Sequence, residues 1–181
     1  MHRSSRGSPE RLGVDAALET DHPPAVAEHK TIIPSVEAIP AYVGRKLGPS
    51  DWVLVSQERI DAFADATDDH QWIHTDPERA SRESRWKSTI AHGYLTLALT
   101  PHLLGHIFGV AGCTSAVNTG LEKLRLATPV PAGSRVRMRA EIRDARKMPQ
   151  GSMRVSFGIR IEVEGSAKPA LIARVNYVYL P

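Results

Sequence analysis

From Arg135 to Arg143 the chain alternates without interruption, with Val136, Met138, Ala140 and Ile142 set against Arg135, Arg137, Arg139, Glu141 and Arg143. A period of two places successive side chains on opposite faces, so this run predicts a strand with one buried and one wet face. After Pro149-Gln150-Gly151 the pattern resumes, with Met153, Val155, Phe157, Ile159, Ile161 and Val163 opposite Arg154, Ser156, Arg160 and Glu162. A third run, Leu171, Ala173, Val175, Tyr177 and Tyr179, follows the turn from Gly165 to Pro169. Successive strands joined by short turns predict an antiparallel meander. A short strand around Trp52 to Val55 and a longer one from Ala116 to Leu126, ahead of Pro129 and Pro131, complete a predicted five-stranded antiparallel sheet.

The apolar face of such a sheet needs a cover. The segment from Gly93 to Val110 supplies it, because Leu95, Leu97, Ala98, Leu99, Leu103, Leu104, Ile107 and Phe108 leave little polar surface, the mark of a buried helix. Pro101 lies inside it and removes one backbone bond, so a kink is expected there. An amphipathic helix is predicted from Gln57 to Ala66, with Ser56 as N-cap and Ile60, Phe63 and Ala64 facing inward. A helical turn follows at Asp76 to Ser81, opened by Pro77. The arrangement is α+β: a long central helix wrapped by an antiparallel β-sheet.

Of the 181 residues, 1–40 contain no aromatic residue and hold five of the 13 prolines. They read as a flexible N-terminal extension, from which Ala16 to Leu18 or Ile32 to Ile33 could still dock on the body, and 41–181 as one domain. The extension, with four basic and six acidic residues, carries −2, and the body, with 19 and 14, carries +5. This surplus is too small to imply a nucleic-acid partner, and the arginines from 135 onward are explained by the solvated face of a strand. A lone Cys113 excludes an internal disulfide and fits a reducing compartment. The sequence has no apolar stretch of about 18 residues and no secretory leader pattern, so a cytoplasmic protein without membrane association is expected.

The stretch from Ala66 to Pro77 has neither period and reads as a loop crowded with Asp68, Asp69, His70, His74 and Asp76. Asp69 and His74, five apart, are able to converge on one water, the carboxylate holding it and the imidazole moving a proton near neutral pH. A capping Asp beside a half-exposed His accounts for the same spacing. Ile90-Ala91-His92-Gly93-Tyr94 stands at the start of the central helix, where Gly93 permits close approach and free first-turn N–H groups favour a developing negative oxygen. His70 with His74 and His102 with His106 have helical i, i+4 spacing, but a third metal ligand is not identifiable, so neither a metal nor another cofactor is expected. Nucleotide-binding glycine loops and zinc-finger spacings are absent.

Taken together, the residues from Phe63 to Ala80, followed by Ile90-Ala91-His92-Gly93-Tyr94-Leu95-Thr96-Leu97, resemble the MaoC-like dehydratase family, which includes (R)-specific enoyl-CoA hydratases and NodN-like proteins. The resemblance runs from about residue 42 to Tyr179 and takes in Asn118-Thr119-Gly120-Leu121. It implies a hot-dog fold and catalytic roles for Asp69 and His74. It implies that the Gly93 amide faces the thioester carbonyl, with His92 and Tyr94 as further substrate contacts. The implied activity is reversible hydration of trans-2-enoyl-CoA in fatty acid metabolism, by a homodimer that takes an acyl-CoA or an acyl-carrier-protein thioester. A hot-dog thioesterase and a non-catalytic acyl-thioester-binding subunit are the competing readings. Asp68, Gln71 and Trp72 stand where hydratases of this type commonly have Gly and Asn-Pro, a wording similar to the NodN-like branch.

Overall fold

The computed structural model describes residues 30–181. In chain order the strands are β1 (Thr31–Ile33), β2 (Lys46–Leu47), β3 (Val53–Val55), β4 (Phe108–Val110), β5 (Ser115–Leu126), β6 (Ser134–Lys147), β7 (Met153–Val163) and β8 (Leu171–Leu180). The α-helices are α1 (Gln57–Thr67), α2 (Trp72–Thr75), α3 (Pro77–Glu83), α4 (Gly93–Ala98) and α5 (Thr100–Ile107), and a 3-10 helix spans Val36–Tyr42. The alternating runs form the predicted meander, β6 pairing antiparallel with β7 and β7 with β8, with Phe157 opposite both Ile142 and Val175. The main sheet has the order β2-β6-β7-β8-β5, and β3 pairs with β6 along the same edge as β2. It therefore has six strands rather than five, because the two residues of β2 are too few to carry a period.

The inner face of the meander is closed to water: Val136, Met138, Ile142, Val155, Phe157, Ile161 and Leu171 are all fully buried. The central helix lies against it as α4 and α5, joined at Leu99 (φ −70°, ψ −10°). Pro101 has no N–H to offer the Leu97 carbonyl, which places the break where the kink was expected. The helix ends at Ile107, not at Val110. Phe108 is extended (φ −141°, ψ 142°) and opens β4, which pairs in parallel with β1. Three apolar residues have no period of their own, so β4 reads in sequence as more helix. Nor is the helix buried all round: Leu95, Leu103, Leu104 and Ile107 face the sheet, whereas Tyr94 is 70% exposed.

The body begins about ten residues earlier than composition suggests. Ile33 and Ile39 are fully buried and Val36 nearly so, and β1 is bonded to the strand that ends the central helix. Residues 30–40 thus belong to the domain. Their prolines shape a 3-10 turn, with Pro40 inside it, rather than a free extension. The rest of the proposed extension lies outside the described residues. Within the described residues, no helix is long and apolar enough to cross a membrane.

Because Ile39 fills core volume, Ile39→Ala should cost about 2–5 kcal/mol. Urea denaturation of the full chain measures it, and a loss within about 0.5 kcal/mol, as at an ordinary surface site, would return this segment to the status of an appendage.

Candidate active site

α1 starts where its cap predicts, with the Ser56 hydroxyl accepting from the Arg59 N–H at 3.3 Å, and buries Ile60 and Ala64. It ends at Asp68, whose left-handed conformation (φ 56°, ψ 23°) turns the chain away from the helix axis. The segment that reads as a loop then contains a single helical turn, α2, in which His74 points inward and is only 8% exposed. α3 follows at once, with Pro77 in its first turn and the Asp76 carboxylate capping the Arg79 N–H at 2.8 Å. One turn of helix between two caps fixes where His74 points.

The His74 ring is held at 2.6 Å by Nδ1 on the Ile90 carbonyl oxygen. A carbonyl only accepts, so Nδ1 carries the proton and Nε2 is left with a lone pair. The Ile90 N–H in turn donates to the Ile73 carbonyl at 3.0 Å, the Ala91 N–H to Val130 at 2.8 Å and the Ala132 N–H to Thr89 at 3.0 Å. The strand-like segment ahead of α4 is thereby fixed between α2 and the β5–β6 connection. Gln57 adds a second brace, its Nε2 donating to the His74 carbonyl at 2.7 Å while its Oε1 accepts from the Thr89 hydroxyl at 2.5 Å. Sequence reasoning reads Gln57 as the first residue of a helix and misses this role, since no local pattern reports a partner 32 residues away.

His92 is 3% exposed and stacks on His74 with ring centroids 3.8 Å apart, while Phe63 backs it at 5.0 Å. Its Nε2 lies 2.9 Å from the backbone oxygen of Asp69 and 3.9 Å from the Asp69 carboxylate. His92 therefore packs against the His74 ring and holds the Asp69 backbone; neither His92 nor Asp69 is among the residues that wall the adjacent cavity. Tyr94, one residue beyond Gly93 on the helix, is 70% exposed.

The cavity has a volume of about 300 Å³ and is walled by His74, Ile90, Gly93, Thr96, Leu126 and Val130 among others. Gly93 stands at the first position of α4, where the N–H has no acceptor within the helix. Leu126 approaches so closely that a Cβ at position 93 would collide with its Cδ1. Glycine at 93 thus leaves room for the Leu126 side chain to pack against the start of α4.

Asp69, His74 and His92 each offer one ligand atom, all within 4.8 Å of one another. His92 Nε2, however, is spent on the Asp69 carbonyl and His74 Nδ1 on Ile90. His74 Nε2 and the Asp69 carboxylate form a pair suited to holding and deprotonating a water, and His92, whose Nδ1 has no hydrogen-bond partner among the described residues, is the third neighbour that sequence spacing did not identify. The other histidine pairs do not form sites: His70 faces Asp65 at 3.7 Å on the surface, and the His102 and His106 rings meet edge to face at 4.5 Å. The arginines of β6 and β7 are explained by cross-strand pairing, Arg137, Arg139 and Arg160 all sharing Glu162 within 3.8 Å.

Residues 39–161 match the family described as MaoC like domain. The chain is 47% identical over 146 residues to 3-hydroxyacyl-thioester dehydratase Z of Mycobacterium tuberculosis, a match covering 80% of this chain and 96% of that protein. It is 39% identical over 140 residues to Nodulation protein N of Rhizobium leguminosarum bv. viciae, covering 77% and 87%. Among solved structures, the (R)-hydratase from A. caviae involved in PHA biosynthesis superposes with a TM-score of 0.58 at 23% identity, covering 77% of this chain and 96% of that one. The shared fold is the hot dog, the long helix wrapped by an antiparallel sheet described above.

The His74 pKa lies below the ordinary histidine value, chiefly because burial disfavours the charged ring; its bond to Ile90 and the Asp69 carboxylate oppose this, and His92 reinforces it. In an NMR titration the His74 ring should titrate below about 6.5. The folded chain then binds fewer protons than the unfolded one as the pH falls from about 6.5 through the folded value, so His74 withdraws stability across that window and none above it. An ordinary or raised His74 midpoint would contradict the buried, base-ready ring.

Proposed function

The chain belongs to the MaoC-like domain family, and from that premise we propose that it is an (R)-specific enoyl-CoA hydratase of fatty acid metabolism, adding water reversibly to trans-2-enoyl-CoA to give (3R)-3-hydroxyacyl-CoA. The observation that carries this reading is the Asp69 carboxylate lying within 4.8 Å of a ligand atom of His74, an imidazole that walls one cavity together with Gly93. Identity of 47% with a protein named a 3-hydroxyacyl-thioester dehydratase supports the same reaction in its reverse direction.

The residues divide the chemistry as follows. A water is held between the Asp69 carboxylate and His74 Nε2, and His74 takes its proton as the oxygen bonds to C3. The π electrons of the C2–C3 bond shift toward the thioester, whose oxygen gains enolate character and is met by the Gly93 N–H. C2 then collects a proton relayed through the Asp69 and His74 pair, which returns to its starting state. The Ile90 carbonyl contributes by fixing the tautomer that leaves Nε2 unprotonated.

Asp69→Asn and His74→Ala should each lower kcat on crotonyl-CoA by about 10²–10⁴-fold, the usual worth of a positioned acid or base. The assay follows loss of the enoyl absorbance alongside a thiol reagent. Bleaching without thiol release is hydration, whereas thiol release would make the protein a thioesterase. Wild-type rates in both variants would remove the pair from the mechanism.

We further propose a homodimer working in the cytoplasm, where Cys113 stays reduced, on acyl thioesters of CoA or of a carrier protein. β5 ends the sheet and is exposed along nearly all its length, with Val117 and Leu126 each 50% exposed and Leu121 40%. An open edge bearing apolar side chains invites a second copy. Sedimentation should return twice 19.8 kDa, and Val117→Asp with Leu121→Asp should return the single mass. A monomeric wild type would refute the dimer.

A further inference from the structure

The cavity wall includes one fixed charge that the mechanism does not use. Arg85 lines it together with His74 and Gly93, and neither Asp nor Glu does. Its neighbours on α3 are paired, Arg79 with Glu83 at 2.9 Å and Arg82 with Glu78 at 2.7 Å. Arg85 has no carboxylate within 4.0 Å among the described residues; its guanidinium lies over the Trp86 ring, 4.5 Å from the centroid. Stacking on an aromatic face holds the plane of the fork and leaves its edge N–H groups free for an anion.

The turn that presents this fork is fixed. Ser84, 3% exposed, donates its N–H to the Ala80 carbonyl at 3.0 Å, accepts on its hydroxyl from the Trp86 N–H at 3.1 Å, and accepts on its carbonyl from the Lys87 N–H at 3.1 Å. Five residues after Ser84, Thr89 is 2% exposed and bonded to the same Gln57 that braces His74. The exposed guanidinium thus stands at a set distance from the reacting pair.

We propose that Arg85 is a phosphate-binding residue at the mouth of the cavity, gripping the phosphorylated carrier arm of the thioester and thereby selecting substrates that have one. The proposal rests on the acyl-thioester reading above. An enoyl chain and its thioester are neutral, so the formal negative charges of such a substrate lie on the phosphates of its carrier. A planar guanidinium meets phosphate oxygens through two parallel N–H bonds. Phosphate bound in this way is held equally in the ground and transition states, so its loss raises KM and spares kcat.

The test uses the full-length protein, wild type, Arg85→Ala and Arg85→Lys, with crotonyl-CoA and with crotonyl-pantetheine, which lacks every phosphate. Free CoA and pantetheine binding are measured in parallel by calorimetry. In Arg85→Ala, KM for crotonyl-CoA and Kd for CoA should rise about 10- to 100-fold, the worth of a hydrogen bond to a charged group, with kcat and both pantetheine values unchanged. Arg85→Lys, which keeps the charge without the fork, should fall between. Unchanged CoA values, or equal losses for CoA and pantetheine, would overturn the role of Arg85 while leaving hydration standing. CoA binding that depends on Arg85 in a protein that hydrates neither thioester would support the phosphate site and sink the hydratase reading.

Discussion

A sheet that is apolar on one face must be covered on that face, and most of this architecture follows from that requirement. Val136, Met138, Phe157, Ile161 and Leu171 form one continuous buried surface across three strands, and a single helix with Leu95, Leu103, Leu104 and Ile107 along one side is enough to close it. The helix has to start at one end of the sheet, and it starts beside the β5–β6 connection, where Ala91 bonds to Val130. The cavity walled by His74 and Gly93 lies at that start. The opposite face, with no apolar surface to hide, carries arginines that share the few carboxylates among them.

The geometry of the site depends on one short segment, Thr89 to Gly93. Ile90 serves twice, with its N–H on Ile73 and its carbonyl on His74 Nδ1. Thr89 reaches Gln57, which reaches the His74 carbonyl. Two residues further along, His92 packs on His74 and bonds to Asp69, and Gly93 opens the helix. The segment therefore links His74, Asp69 and the first-turn N–H of Gly93 through hydrogen-bonded backbone. Preorganisation of this kind is what makes electrostatic stabilisation effective at the moment of reaction.

The sequence made legible whatever repeats with a period or carries a local chemical signature. The strands from Met153 to Val163 and from Leu171 onward have nearly the ends their alternation predicts, Ser56 caps α1, and Pro77 opens α3. The elements that escaped are too short to show a period: β1 and β4 have three residues each and β2 has two. Val36 and Ile39 were hidden by the prolines around them, although each is buried, while Ile33 docks as one of the two expected alternatives. Within the candidate site, residue types, spacing and the family resemblance singled out Asp69, His74 and Gly93 as candidates, but not the directions of neighbouring side chains. His92 and Tyr94 are two apart on one helix start, yet one is 3% and the other 70% exposed. That difference is set by the rotation of α4 against the sheet, and Gln57, Ile90 and Arg85 likewise gain their roles from contacts across long sequence separations.

The stacked histidines bear on why a carboxylate is needed beside the base at all. Burial and the neighbouring ring of His92 both oppose a positive charge on His74, while Asp69 and the Ile90 carbonyl favour it. In the proposed hydration, taking a proton from water would charge a ring whose closest aromatic neighbour, at 3.8 Å, offers no compensation. Asp69 is 55% exposed at its side chain, so in that proposal it would supply the compensating charge as the proton moves. Without it, the burial that lowers the His74 pKa would resist the imidazolium that the proposed step requires. The pair is thus matched by opposing environments, a buried ring that is released from water and a wet carboxylate that is not. His92 sets their separation by bonding to the backbone of one and stacking on the ring of the other.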